Sequence, residues 1–111
     1  MSQITTHVLD TQSGKPASGV NISLFEINPD LKEIASGVTN EDGRIHDLLD
    51  EKRTLNNGVY KMRFEIASYF EKQGTQTFYP FVEITFKIED NVHYHIPLLL
   101  SPFGYTTYRG S

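Results

Sequence analysis

The stretch VYKMRFEI, residues 59–66, decides the class of the fold. Every even position in it is apolar, and positions 61, 63 and 65 are charged. Successive side chains of a β-strand point to opposite faces, so this period of two collects the apolar side chains on one face. The stretch therefore predicts a half-buried strand of an antiparallel sheet.

The same alternation recurs in VNISLFEI, residues 20–27, and in FVEITFKI, residues 81–88. Pairs of residues typical of tight turns separate the strands. We predict an all-β chain, a two-sheet β-sandwich, rather than an alternating α/β design. The turn pairs are Asn28-Pro29, Asp42-Gly43, Asn57-Gly58 and Ser101-Pro102.

One segment departs from the period of two. ASYFEKQ, residues 67–73, lacks strand alternation and is followed by Gly74, a residue that commonly ends helices. We predict one short helix there. At 111 residues without repeats or linkers, the chain is expected to form a single domain, 1–111.

Composition and charge exclude several classes of partner. The net charge of −4 comes with acidic and basic residues interspersed, so no basic stripe for nucleic acid is present. Cysteine is absent, which excludes disulfides and thiolate chemistry. No apolar stretch approaches the length of a membrane span, and MSQITTHVLD lacks the pattern of a secretory signal. We therefore expect no membrane partner and a cytoplasmic location.

Two strands carry an unusual outer face. If alternate residues of ITTHVLD (4–10) and HYHIPLLL (93–100) face the core, histidine, leucine and proline side chains remain on the opposite face. An exposed apolar face of this kind usually marks an interface, so we expect contact with another copy of the chain. The alternative is that the chain's own loops cover this outer face. Pro97 has no N–H to donate, which predicts an unpaired or bulged position.

The candidates for chemistry are histidines, because no G-x-S-x-G elbow or cysteine nucleophile is present. A single histidine is more often structural, and we expect that role for His46 and His93. The pair His93-x-His95 points one way from a strand and suggests a metal site. No well-spaced third ligand completes such a site, so we expect no metal.

Two arginines are suggestive. Arg44 follows the tight turn 40–43, which would fix its position, and Arg109 lies in the terminal tetrapeptide YRGS. A guanidinium makes paired hydrogen bonds to planar, oxygen-rich anions. The alternative for each is a solvated surface arginine.

Four segments carry a further signal: THVLDTQSGKPA (6–17), EDGR (41–44), FYPFVEITF (78–86) and HYHIPLLLSPFGYTTYRGS (93–111). Together they resemble the transthyretin-related family, and within it the enzyme branch, the 5-hydroxyisourate hydrolases. The resemblance covers nearly the whole chain, and the closing YRGS resembles the tetrapeptide that separates these enzymes from the hormone carrier.

The resemblance implies a transthyretin-like two-sheet β-sandwich with one short helix, assembled as a homotetramer, a dimer of dimers. It implies hydrolysis of 5-hydroxyisourate, a small-molecule substrate from urate oxidation, to 2-oxo-4-hydroxy-4-carboxy-5-ureidoimidazoline, without cofactor or metal. By position, His7, Arg44 and His95 match the family's catalytic residues. The terminal residues Tyr108, Arg109, Gly110 and Ser111 match its substrate-binding motif.

The residues themselves fit this chemistry but leave its details open. Attack of water on a ring carbonyl needs a base near neutral pH, and histidine has an ordinary pKa of about 6.5. Either arginine could stabilise the developing oxyanion. We expect YRGS to line the active site, the alternative being a simple edge strand. The competing function is a transthyretin-like carrier that binds a small ligand without catalysis.

Overall fold

The computed structural model describes residues 2–111, which form two four-stranded sheets and one short helix. This confirms the predicted all-β, two-sheet sandwich. In chain order the elements are β1 (Ile4–Asp10), β2 (Lys15–Pro16), β3 (Asn21–Glu26), β4 (Lys32–Val38), β5 (Gly58–Glu65), α1 (Ile66–Glu71), β6 (Val82–Ile88), β7 (Tyr94–Ser101) and β8 (Gly104–Thr107).

The strand order is β2-β1-β7-β8 in one sheet and β4-β3-β5-β6 in the other. All of the strand pairs are antiparallel except β1 with β7, which run parallel from Ile4–Tyr94 to Asp10–Leu100. Strands from the two ends of the sequence are therefore neighbours. Within residues 2–111 no helix is long and apolar enough to cross a membrane.

The core lies between the two sheets and follows the alternation of the sequence. In residues 59–66 the even positions are buried and the odd positions are half-buried. Burying a large apolar side chain stabilises a fold by roughly 1.5–3 kcal/mol. A slip of one residue would turn all of these side chains outward at once, so the register of β5 is strongly fixed.

The helix lies close to its predicted position. It spans Ile66–Glu71 instead of residues 67–73, and Ile66 and Phe70 pack into the core. Turns carry the chain from Lys72 to Gly74, where a φ of 70° reverses its direction. The Thr75 N–H then donates to the Phe70 carbonyl. Glycine adopts positive φ at little cost, so Gly74 ends the turns that follow the helix.

Pro97 interrupts the pairing of β7 with the C-terminal segment. The ladder between β7 and β8 stops at Leu98–Thr107, and one bridge in the same register joins His95 to Gly110. Between them the Pro97 carbonyl accepts a hydrogen bond from the Thr107 hydroxyl, at 2.8 Å. A proline cannot donate to a ladder. The predicted unpaired position is therefore confirmed.

Candidate active site

A cleft of about 590 Å³ lies on the outer face of the sheet that contains β1 and β7. The parallel pairing of these strands brings the two ends of the sequence to one place. Twelve residues line the cleft: Thr5, Thr6, His7, Arg44, Ile45, His46, His93, His95, Pro97, Tyr108, Gly110 and Ser111. Three of the four histidines on this list lie on or directly beside the paired strands, at 7, 93 and 95.

His7 and His95 lie on one face of the parallel pair. In its register His95 is beside Thr5, two residues before His7. A rise of about 3.3 Å per residue and a strand spacing of about 4.8 Å put the two histidine Cα atoms on the order of 8 Å apart. That separation makes the two imidazoles neighbours on the same face of the sheet.

Arg44 is held beside His7 by a tight turn. The Asn40 side-chain oxygen accepts hydrogen bonds from the N–H groups of Asp42 and Arg44, at 2.8 and 3.1 Å. The Gly43 carbonyl accepts from Val8 N–H at 2.9 Å, and Arg44 forms a bridge with His7. The guanidinium is therefore carried by a fixed backbone at the edge of β1.

Gly43 is required in this turn for two reasons. Its φ of 73° is unfavourable for residues with a side chain, and a Cβ there would lie 2.4 Å from the Val8 carbonyl oxygen. Any larger residue would push the turn away from β1. Because Arg44 is the next residue, Gly43 also fixes its distance from His7.

Both histidines have lowered pKa values. Burial lowers the pKa of His7 most, followed by the nearby positive charge of Arg44, while a hydrogen bond to the Asp42 backbone opposes both effects. Burial also lowers the pKa of His95 most, and Arg44, His93 and His7 lower it further. Each ring is therefore held neutral at pH 7, which is the form that can accept a proton.

His95 has contacts on two sides. Its Nδ1 lies 2.8 Å from the Thr5 hydroxyl oxygen. Gly110 packs against the ring, so that a Cβ at 110 would lie only 2.4 Å from His95 Cδ2. Residue 110 must therefore be glycine for the terminal segment to lie this close to the imidazole.

The terminal tetrapeptide is divided between two cavities. Tyr108, Gly110 and Ser111 line the cleft, and Tyr108 also lines the second cavity. Arg109 is absent from its lining, and its guanidinium lies 4.4 Å from the centre of the Tyr94 ring in a neighbouring cavity of about 300 Å³. Arg44 is thus the arginine that lines the cleft with the two histidines.

Sequence reasoning missed several residues of the cleft. His46 and His93 were expected to be structural, yet both line it, together with Thr5. The signal that identifies Thr5 is its register position opposite His95, which depends on a pairing between residues 90 positions apart. Among residues 2–111, no group of three or more His, Cys, Asp or Glu side chains could hold a metal ion.

The outer face is only partly the apolar surface predicted from the sequence. Leu9 and Leu99 are half-buried, as expected for an unpartnered face. Pro97, expected beside them on that face, is instead buried within the chain itself, where the returning C-terminal segment lies alongside β7. For this residue the alternative of cover by the chain's own segments is correct.

Comparison with known proteins identifies the family of this chain. Residues 4–110 match the model described as the HIUase/Transthyretin family. The chain belongs to this family. The "Probable 5-hydroxyisourate hydrolase" of Schizosaccharomyces pombe is 46% identical over 97% of this chain and 90% of its own length.

Solved structures of the family superpose closely on this chain. A 5-hydroxyisourate hydrolase from Klebsiella pneumoniae has a TM-score of 0.85 and 35% identity, covering 97% of this chain and 92% of its own. Transthyretin from Sparus aurata has a TM-score of 0.92 and 33% identity, covering 99% and 97%. Because the hydrolase and transthyretin share the fold, backbone similarity alone does not decide the function, and the side chains of the cleft carry that argument.

Proposed function

We propose that this protein hydrolyses 5-hydroxyisourate, opening its ring to 2-oxo-4-hydroxy-4-carboxy-5-ureidoimidazoline. The observation that carries the proposal is the meeting of His7, Arg44 and His95 in one cleft. Relatives named as 5-hydroxyisourate hydrolases, at up to 46% identity over almost the whole chain, support it.

The proposed chemistry uses these side chains and water. A neutral histidine takes a proton from water, and the resulting hydroxide adds to a carbonyl of the substrate ring. Negative charge develops on the carbonyl oxygen, and the Arg44 guanidinium, which is exposed on the free chain, stabilises it by its positive charge and its N–H donors. The C–N bond then breaks, and the leaving nitrogen takes up a proton from a histidine. His7 and His95 are the two histidines available for these proton transfers.

The terminal residues hold the substrate in this proposal. Tyr108 presents a flat ring and a hydroxyl to a planar, purine-derived substrate. Gly110 keeps the terminal backbone close to His95, and Ser111 adds a hydroxyl at the edge of the cleft. Arg109, stacked on Tyr94, would act from the neighbouring cavity by holding the segment in position.

We also propose that the chain assembles as a homotetramer, a dimer of dimers. Large apolar side chains are exposed on the free chain: Phe78 is 72% exposed, Phe103 69% and Tyr108 58%. A contiguous apolar patch usually marks an interface, and Phe78 lies near Phe103 because its N–H donates to the Pro102 carbonyl. A cleft on the outer face of a 111-residue sandwich would become an enclosed channel when two such faces meet. A cytoplasmic location stays a prediction from the sequence.

The experiment follows the ultraviolet absorbance of freshly oxidised urate. With the protein present, we expect the intermediate to decay much faster than in a blank, and His95→Ala should abolish the acceleration. If a correctly folded protein left the intermediate decaying at the spontaneous rate, the hydrolase function would be refuted and the carrier function would remain. In that case calorimetry should detect binding of a small aromatic ligand without turnover.

A further inference from the structure

A hydrogen-bonded chain of three side chains extends from His95 away from the centre of the cleft. The Thr5 hydroxyl oxygen lies 2.8 Å from His95 Nδ1 and 2.7 Å from His93 Nε2. The two imidazoles are stacked, with ring centres 6.3 Å apart and planes inclined by 28°. One hydroxyl thus bridges two histidines, only one of which was expected to be functional.

The proton count of a hydroxyl restricts this chain to two arrangements. A hydroxyl has one proton, so Thr5 can donate to one ring nitrogen and must accept from the other. If His95 Nδ1 donates to Thr5, its Nε2 is an unprotonated base. If Thr5 donates to Nδ1, Nε2 carries the proton instead.

The base role proposed for His95 requires the first arrangement. Nδ1 is the nitrogen that lies 2.8 Å from the Thr5 hydroxyl, so the proton of the neutral ring must be there if Nε2 is to take a proton from water. Nε2 is then left with a free lone pair. A contact with the Thr5 backbone stabilises the protonated ring and raises the pKa of His95, against the larger effects that lower it.

We propose that His93 and Thr5 are positioning residues that fix the tautomer of His95. When His95 acts as a base, His93 takes up the positive charge through the Thr5 hydroxyl. The proposal rests on the hydrolase function above. Burial makes a charge on His95 itself unfavourable, and Arg44 after the turn, His93 before β7 and His7 on β1 lower its pKa further. Tyr108 and Ser111 are the terminal-segment residues that complete the lining.

The proton moves along the hydrogen-bonded chain in three transfers. His95 Nε2 gains a proton from water as the hydroxide bonds to the substrate carbonyl. His95 Nδ1 gives its proton to the Thr5 oxygen, and the Thr5 proton passes to His93 Nε2. His95 ends neutral with a proton on Nε2, Thr5 is unchanged, and His93 becomes an imidazolium. The reverse transfer follows when His95 Nε2–H protonates the leaving nitrogen.

The kinetic test uses Thr5→Val, which keeps the β-branched shape but removes the hydroxyl. General acid–base catalysis contributes about 10²–10⁴-fold, so we expect kcat to fall by roughly tenfold to a hundredfold. KM should change by less than about threefold, because the loss falls on the chemical step. Thr5→Ser should recover most of the activity. Thr85→Val, the same change on an exposed strand position of the other sheet, should behave as wild type.

Two further measurements distinguish a Thr5 that relays protons in the hydrogen-bonded chain from a Thr5 with only a structural role. Without the hydroxyl, the charge stays on His95 beside Arg44, so the acid limb of the kcat/KM profile should move to lower pH. His93→Phe should lower kcat like Thr5→Val, and the double variant should be no slower than either. Additive losses, an unmoved acid limb, or wild-type kcat in folded Thr5→Val would overturn the proposal.

Imidazole nitrogen NMR keeps this test separate from the proposed function. We expect the neutral His95 of the wild-type protein to carry its proton on Nδ1, and Thr5→Val to shift the tautomer towards Nε2–H. A wild-type protein with this tautomer but no hydrolase activity would refute the proposed function and leave the proposed hydrogen-bonded chain intact. An active wild-type protein whose His95 carries the proton on Nε2 would refute the hydrogen-bonded chain alone.

Discussion

Replacement of Gly110 by alanine is expected to disable the site without unfolding the protein. The new Cβ would lie 2.4 Å from His95 Cδ2, 3.1 Å from Cγ and 3.2 Å from the ring's own Cβ. Ordinary contact begins near 3.4 Å, so relief of the closest contact needs a movement of about 1 Å by the imidazole or the terminal segment. A misplacement of about 1 Å can cost on the order of 10²-fold in rate.

The assay is the ultraviolet decay of 5-hydroxyisourate, with kcat/KM measured for both proteins. Gly104→Ala is a matched control, because its Cβ would meet only the Ser101 hydroxyl oxygen at 3.7 Å. We expect a loss of about a hundredfold in Gly110→Ala and almost none in Gly104→Ala, with similar thermal unfolding of both. A wild-type rate in Gly110→Ala, or an equal loss in Gly104→Ala, would refute the packing of residue 110 on His95.

The other predictions concern the catalytic groups and the assembly. His7→Ala and His95→Ala should each lower kcat by roughly 100-fold or more, since each removes a proton-transfer group, and circular dichroism should report an unchanged fold. Arg44→Lys should lose most activity although the charge is kept, because lysine lacks the planar fork; a wild-type kcat/KM would contradict this. The base works unprotonated and both pKa values are lowered, so activity should rise with pH through a limb centred below about 6.5, and a limb above that value would be the wrong sign. Leu99→Asp should weaken the tetramer and the activity together, as light scattering and the same assay would report; a fully active monomer would contradict a shared channel.

The strands were predictable because alternation is a local property of the sequence. Each of the stretches 20–27, 59–66 and 81–88 contains enough alternate apolar residues to identify one buried face. The helix boundaries were displaced by one and two residues because turns continue from Lys72 to Gly74 and obscure its end. Pattern alone is weakest at such boundaries.

The pairing of strands was not predictable in the same way. Nothing local indicates that β1 lies parallel to β7, yet this contact alone puts Thr5 beside His95. His93 was expected to be structural for the same reason, because its hydrogen bond to Thr5 exists only once β1 and β7 are paired in the folded sheet. The resemblance supplied His7, Arg44 and His95 by position, and the fold explains why they meet.

Arg109 illustrates the limit of treating a terminal motif as one unit. The ladder has no pairs at residues 108 and 109, but the bridge of His95 with Gly110 keeps its register, so neighbouring side chains still alternate between the two faces. Tyr108 lines both cavities, whereas Arg109 stacks on Tyr94 and lines only the neighbouring one. The substrate-binding role predicted for Arg109 stays a prediction. In the structure Arg109 lines the neighbouring cavity.

The most direct measurement of the central claim is a crystal structure of the protein with urate, a planar oxopurine like the substrate, bound at neutral pH. We expect the purine ring in the cleft between His7 and His95, with a ring oxygen within hydrogen-bond distance of the Arg44 guanidinium. Urate bound instead against Arg109 and Tyr94, with an empty cleft, would contradict the account.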